Sequence, residues 1–181
     1  MFARSSPDRR PLASSTAAAC LSLLLTGCAG PPCGSTAVAD LRPTPGHAAS
    51  GNIAFRQLGG IVQVTGTVWG LPPGTEHGFH IHEVGDCGRD GDAAGGHFNP
   101  QAVQHGRFGE AGVHAGELPS LHADSTGTAT FSIDTRAISL GNGPTGVLGR
   151  ALVVHRDRDD YHSQPAGDSG PRIACGVIEQ R

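Results

Sequence analysis

An all-β fold is what this 181-residue chain predicts, on three observations. Glycine and proline are frequent, at 28 and 13 residues, while aromatic residues are only 4%. That composition suits short strands joined by turns better than helices. Several segments alternate apolar and polar side chains with a period of two, and none sustains a helical period. The first strands are read at residues 36–41, 52–58 and 61–69. Gly59-Gly60 between the last two is a hairpin turn signal, and Trp69 ends a strand ahead of Gly70-Leu71-Pro72-Pro73-Gly74. Residues 78–83 follow. In 128–134, Ala129, Phe131 and Ile133 share one face and Thr128, Thr130 and Ser132 the other, as a half-buried antiparallel strand requires. Residues 150–156 and 173–178 complete the set. A sandwich or flattened barrel accommodates these strands.

The length allows one domain with a real core once a leader is removed. Every basic residue is arginine, and the formal net charge is −3. Arg4, Arg9, Arg10 and Asp8 give the leader +2, leaving the rest at −5. An acidic chain without a basic stripe excludes nucleic acid as a partner, because neutralising phosphates needs clustered positive charge.

The leader has an export pattern: three arginines, then an apolar stretch over 12–25 that is short for a membrane span. Leu25-Thr26-Gly27-Cys28 resembles a bacterial lipobox, with cleavage before Cys28 and lipidation of that cysteine. The expected organisation is a lipoprotein signal peptide over 1–27, a Pro/Gly-rich tether over 28–37, and a folded domain over 38–181. An ordinary secretory signal with a chance cysteine is the alternative. Arg9-Arg10 leaves the export route open. Ala29 carries no aspartate-type retention signal, which favours the outer membrane in an envelope that has two. Cys20 leaves with the leader, and Cys33 is either free or paired between molecules.

Six of the ten histidines carry the functional signal. His80 and His82 are two apart on a strand, so their rings share a face and can share an ion. His155 ends the run Ala151-Leu152-Val153-Val154 and brings a third imidazole, and His97 offers a fourth. Four nitrogens in a flattened arrangement suit Cu(II). His97, His105 and His114 with an oxygen donor make a tetrahedral site of the kind zinc prefers, and Glu117 lies three residues beyond His114. His97 is then shared, as a ring with two nitrogens permits once it loses its second proton. The stretch between His82 and Leu118 is long, rich in Gly and Asp, and without period, and metal coordination would organise it.

Gly78-Phe79-His80-Ile81-His82-Glu83, Gly95-Gly96-His97-Phe98-Asn99-Pro100, Val153-Val154-His155 and Arg172-Ile173-Ala174-Cys175-Gly176-Val177-Ile178 resemble the copper/zinc superoxide dismutases. The likeness runs from about Val38 to Ile178. It implies an eight-stranded Greek-key β-barrel, a flattened sandwich, with long metal-binding and electrostatic loops. By resemblance the copper ligands are His80, His82, His97 and His155, and the zinc ligands are His97, His105, His114 and Glu117. The family has aspartate where this chain has Glu117, with Asp124 a weaker substitute. Asp159 matches an aspartate that hydrogen-bonds one copper and one zinc histidine. Cys87 and Cys175 match the family's intrachain disulfide, which export makes plausible.

The implied chemistry converts two superoxide anions and two protons to O₂ and hydrogen peroxide as copper alternates between two oxidation states. His97 would store a proton between the half-reactions. Arg172 matches an arginine that attracts and docks the anion, and the family is itself a standard example of such steering. Arg107, Arg156 and Arg158 either widen a positive funnel or are ordinary solvated charges. His47, His77, His122 and His162 match no ligand position and read as solvated or hydrogen-bonded rings. The resemblance leaves monomer and homodimer open. It implies protection of the cell envelope, with a lipid anchor as the sole membrane contact.

Two competing readings are a noncatalytic copper-carrying lipoprotein and a structural zinc protein. Neither needs an anion-docking Arg172 beside an open metal position. A zinc hydrolase lacks a HExxH base.

Overall fold

A computed structural model describes residues 1–2 and 34–181. The expected signal peptide from residue 3 on, Cys20, Cys28, Cys33 and most of the expected tether lie outside the described residues. The unit that carries the site is Cys33–Arg181. Its strands in chain order are β1 Thr36–Pro43, β2 Ser50–Leu58, β3 Ile61–Trp69, β4 Glu76–His77, β5 Phe79–His82, β6 Leu121–His122, β7 Ala129–Thr135, β8 Ala151–His155, β9 Arg172–Val177 and β10 Glu179–Gln180. Among the described residues the only helical turn is 3₁₀, at Asp92–Ala94.

Every expected strand is present within two residues of its predicted ends. β1 begins at Thr36, inside the stretch assigned to the tether, because Ala37, Ala39 and Leu41 alternate into the core. The short β4, β6 and β10 escape a reading by period, since two residues carry no alternation.

The sheet runs β5-β8-β9-β1-β2-β3-β7, antiparallel throughout, with β10 added to β1. It curls around one core that includes Ile53, Phe55, Val64, Ile81, Leu152 and Ile178. Phe79 and Phe131 meet edge to face inside it, with ring centroids 5.2 Å apart, a favoured aromatic geometry. β7 shows the alternation the sequence implied: Ala129 and Ile133 are buried while Thr130 and Ser132 are exposed.

β8 differs, being buried at all five positions. Leu152 and Val154 face the main core, whereas Ala151 and Val153 pack with Ala94, Cys175 and Cys87 beneath the loop that follows β5. The Cys87–Cys175 disulfide fastens that loop to β9.

Candidate metal centre

β5 places His80 and His82, and β8 ends at His155 on the neighbouring strand. The loop after β5 reaches the same face because its backbone adds to the exposed edge of β5. Ile81 N–H donates to Gly116 at 2.9 Å, Phe98 N–H to Ile81 at 2.8 Å and Glu83 N–H to Gly96 at 2.9 Å. Bridges pair His80 with Glu117 and His82 with His97. Gly116 is required here: a Cβ would run into the Ile81 carbonyl.

Four ligand atoms converge from His80, His82, His97 and His155, and four more from His97, His105, His114 and Glu117. All seven residues are buried. His97 belongs to both groups and lies between them. Its Nδ1 is 3.1 Å from Glu117 Oε1, while its Nε2 is buried without a protein partner.

Hydrogen bonds fix which nitrogen each ring offers, because a carbonyl or carboxylate accepts and so must face an N–H. His82 donates from Nδ1 to Gly95 O at 3.0 Å, and His155 from Nδ1 to Gly170 O at 3.1 Å. His80 donates from Nε2 to Asp159 Oδ2 at 2.9 Å. The atoms left for an ion are His80 Nδ1, His82 Nε2, His97 Nε2 and His155 Nε2. Burial, aided by neighbouring imidazoles, holds His82 and His155 well below the ordinary imidazole pKa, so both rings are neutral near pH 7. Their Nε2 atoms nonetheless face each other at 3.2 Å, lone pair to lone pair. A cation between them turns that repulsion into shared coordination. The unpartnered His80 Nδ1 and His97 Nε2 point to the same need, so this donor set fits a nitrogen-preferring ion such as copper.

The second group is organised by one carboxylate. Glu117 Oε1 lies 3.1, 2.9 and 2.7 Å from Nδ1 of His97, His105 and His114. The His114 contact, though shortest, lacks hydrogen-bond geometry, and Glu117 Oε2 has no hydrogen-bond partner, lying 3.5 Å from His80 Nε2. Three nitrogens and an oxygen fit zinc. Glu117 Oε1 lies within 3.1 Å of all three rings, whereas Asp124 is exposed in a turn with Thr126 and Thr128.

Asp159 links the two groups, accepting from His80 Nε2 and from His105 Nε2 at 2.9 Å each. Burial disfavours its charge, but the two histidine hydrogen bonds prevail and hold its carboxyl well below the ordinary range. Glu117 is likewise held down to about 2 by His105 and His97 against its burial. His105, between the two carboxylates, is raised to about 9 although burial opposes its charge.

These shifts predict the pH dependence of the metal-free protein. Below pH 6.5 the unfolded chain takes up protons at His80, His82 and His155 that the folded protein refuses, with His80 lowered to about 4 by burial. Stability therefore falls with acid, and further as Glu117 is protonated. Above pH 6.5 the folded protein keeps the His105 proton up to about pH 9 while the unfolded chain releases it, so stability falls with base. Denaturant midpoints of stripped protein should peak near pH 6.5; a midpoint that climbs steadily to pH 9 contradicts this assignment.

Arg172 donates from Nη1 to Gly91 O and from Nη2 to Gly95 O, both at 2.5 Å. Gly95 O also receives His82, so the guanidinium is fixed beside that ring. Arg172 and His155 line a cleft of about 360 Å³ with Asp92, Gln164 and Asp168. Of the other arginines, Arg156 pairs with Asp157 at 2.9 Å and Arg107 lies 3.9 Å over the Tyr161 ring. Neither these nor Arg158 line that cleft.

One of the hydrogen-bonded histidines touches the site, and one contributor, Gln164, escaped the sequence reading. Buried His77 donates from Nδ1 to the His155 carbonyl at 2.9 Å, and its Nε2 lies 2.6 Å from the Thr75 hydroxyl. Gln164 clamps the backbone of His105 on both sides, accepting its N–H at 2.9 Å and donating to its carbonyl at 3.0 Å. The position of His77, three residues before His80, was a usable signal; nothing in the sequence marks Gln164.

The model of the family described as copper/zinc superoxide dismutase (SODC) matches residues 49–178. The chain is 45% identical over 135 residues to Cu-Zn superoxide dismutase 2 of Brassica juncea, covering 71% of this chain and 88% of that protein. It is 43% identical over 134 residues to an extracellular Cu-Zn superoxide dismutase of Haemonchus contortus, covering 71% and 72%. Identity is 44% over 114 residues to Cu-Zn superoxide dismutase 1 of Aquifex aeolicus (strain VF5), covering 60% and 68%. Among solved structures, the crystal structure of the clock protein EA4 aligns with a TM-score of 0.73 at 39% identity, covering 83% of this chain and 97% of that one.

Proposed function

Since the chain belongs to the copper/zinc superoxide dismutase family, we propose that it performs that reaction with copper on His80, His82, His97 and His155 and zinc on His97, His105, His114 and Glu117. The family is an oxidoreductase family, and copper and zinc are its cofactors. The observation that carries the ligand assignment is the double membership of His97, with Nδ1 on the Glu117 side and Nε2 unpartnered on the other.

When bound, copper supplies the one-electron exchange by which one superoxide becomes O₂ and a second becomes hydrogen peroxide, and zinc supplies a fixed charge. The chain's own residues do the rest. His97 Nε2, held away from water, is the atom at which a proton is stored between the half-reactions. Asp159 keeps His80 and His105 in the tautomers that aim Nδ1 inward. Arg172 uses two of its five N–H donors on carbonyls, its Nε faces Asp92 Oδ1 at 3.9 Å, and two are left for a small anion in the cleft. That local charge matters in a chain that is negative overall.

The reading extends to the protein's setting. An extracellular relative and the Cys87–Cys175 bond support export, because disulfides persist in oxidising compartments. We assign residues 1–27 as a lipoprotein signal peptide, Cys28 as the anchored N-terminus and the metal domain as a protector of the cell envelope. Intact-mass analysis of the mature protein tests this, since an unlipidated N-terminus at any other residue overturns it.

The activity test is superoxide consumption by protein loaded with copper and zinc, beside Arg172→Ala. The variant should keep both metals and lose about tenfold at low salt, with a flatter salt dependence. A fully metallated wild type that leaves superoxide untouched defeats the functional reading. An Arg172→Ala variant equal to wild type defeats only the docking role.

A further inference from the structure

The two ligand groups open on different clefts. His155 and Arg172 line the first cleft, which no member of the Glu117 group reaches. A second cleft, of about 470 Å³, is lined by His114 and Glu117, with Phe108 and the rim residues Glu110, Asp134 and Arg136. No residue of the His80, His82, His97 and His155 group lines it. At the floor of this second cleft, the Glu117 side chain is 2% exposed and that of His114 is 6%. Neither Glu117 Oε2 nor His114 Nδ1 has a partner in hydrogen-bond geometry; the first lies 3.5 Å from His80 Nε2 and the second 2.7 Å from Glu117 Oε1. His105 has a side chain at 0% exposure and His97 at 1%, so the solvent contact of this group is made through His114.

The rim has the charge a divalent cation requires. The Glu110 carboxylate leans toward the backbone beside His105, 3.6 Å from where a Cβ on Gly106 would stand. Asp134 is exposed at the end of β7, while the Arg136 guanidinium reaches toward Gly60. Two carboxylates and one guanidinium leave the rim net negative. The first cleft has the same balance, with Asp92 and Asp168 beside Arg172, so it is the ligands each cleft reaches and not net charge that separates the two.

We infer that zinc enters and leaves through the cleft over Glu117 and His114, by a door separate from the one that serves the copper ligands and the anion. This rests on the reading that the Glu117 group holds zinc. It implies that zinc exchanges while the first cleft is occupied, and that each metal's kinetics answer to its own rim.

The test uses the full-length loaded protein and a chromogenic chelator to follow zinc release, then reloading with zinc ion alone. Glu110→Gln combined with Asp134→Asn should slow zinc uptake about three- to tenfold at low salt, with the difference vanishing at high salt. Ala137→Trp, which adds bulk at the exposed mouth, should slow uptake and release at every salt concentration. Copper uptake should be unchanged in both. Asp168→Asn in the first cleft should show the opposite pattern, altering copper and leaving zinc alone. Zinc rates unmoved by both second-cleft changes, or zinc and copper slowed together, overturn the inference. Wild-type protein that binds copper but takes up no zinc overturns the ligand assignment itself, and the two failures are therefore distinct.

Discussion

Replacing His97 with alanine should strip function from both metal groups at once. The ring is the centre of the constellation, with centroids 4.0 Å from His80 and 5.0 Å from His82 on one side, and 5.4 Å from His105 and 5.6 Å from His114 on the other. Its loss leaves three imidazoles for copper and two imidazoles with Glu117 for zinc. Removing even a residue that only supports a ligand costs about 10- to 100-fold in metal affinity, so deleting a shared ligand should exceed that for each ion. Superoxide consumption should fall at least ~100-fold, and the cupric spectrum of any retained copper should change with the lost nitrogen donor. Asp159→Asn is the milder control. It keeps every ligand but weakens the acceptor that orients His80 and His105, and should lower zinc affinity by about tenfold. An alanine variant that holds both metals at wild-type affinity and still consumes superoxide would falsify the bridge.

The strands were legible because each buries one face, and burial writes a period of two into the sequence. Residues 61–69 and 128–134 show this directly: Val62, Val64, Val68, Ala129 and Ile133 are core residues, with polar or glycine neighbours between most of them. The metal groups were legible for another reason. Imidazoles at strand spacing, followed by imidazoles in an aperiodic loop, have few explanations apart from coordination.

What the sequence hid is main-chain chemistry. The carbonyls of Gly91, Gly95 and Gly170 set the position of Arg172 and the tautomers of His82 and His155. A carbonyl belongs to every residue and so marks none. Gln164 is hidden likewise, because its partners are the backbone N–H and C=O of His105, 59 residues away. The second cleft is hidden too. It forms where the loop carrying Phe108 and Glu110 meets the end of β7, a juxtaposition visible only in three dimensions.

Removing the disulfide should produce the largest loss of stability available from a single covalent change. Cys87 and Cys175 are 88 residues apart, and the chain-entropy model gives about 4 to 5 kcal/mol for a loop of that size. For a protein of this length that corresponds to a fall in Tm of roughly 10–15 °C in Cys87→Ser/Cys175→Ser. Function should suffer beyond stability. The bond ties to β9 the loop whose Gly91 and Gly95 carbonyls hold Arg172, and Gly95 also holds His82. Freed of the tie, that loop keeps its backbone bonds from Glu83 to Gly96 and from Val84 to Ala94, so the four proposed copper ligands should remain assembled while Arg172 loosens. The double serine variant, measured well below its Tm and fully metallated, should therefore show a weaker salt dependence of superoxide consumption and near-normal copper content. Unchanged stability would contradict the loop-closure argument. Lost stability with an unchanged salt response would instead show that the Gly91 and Gly95 carbonyls are held by the chain alone.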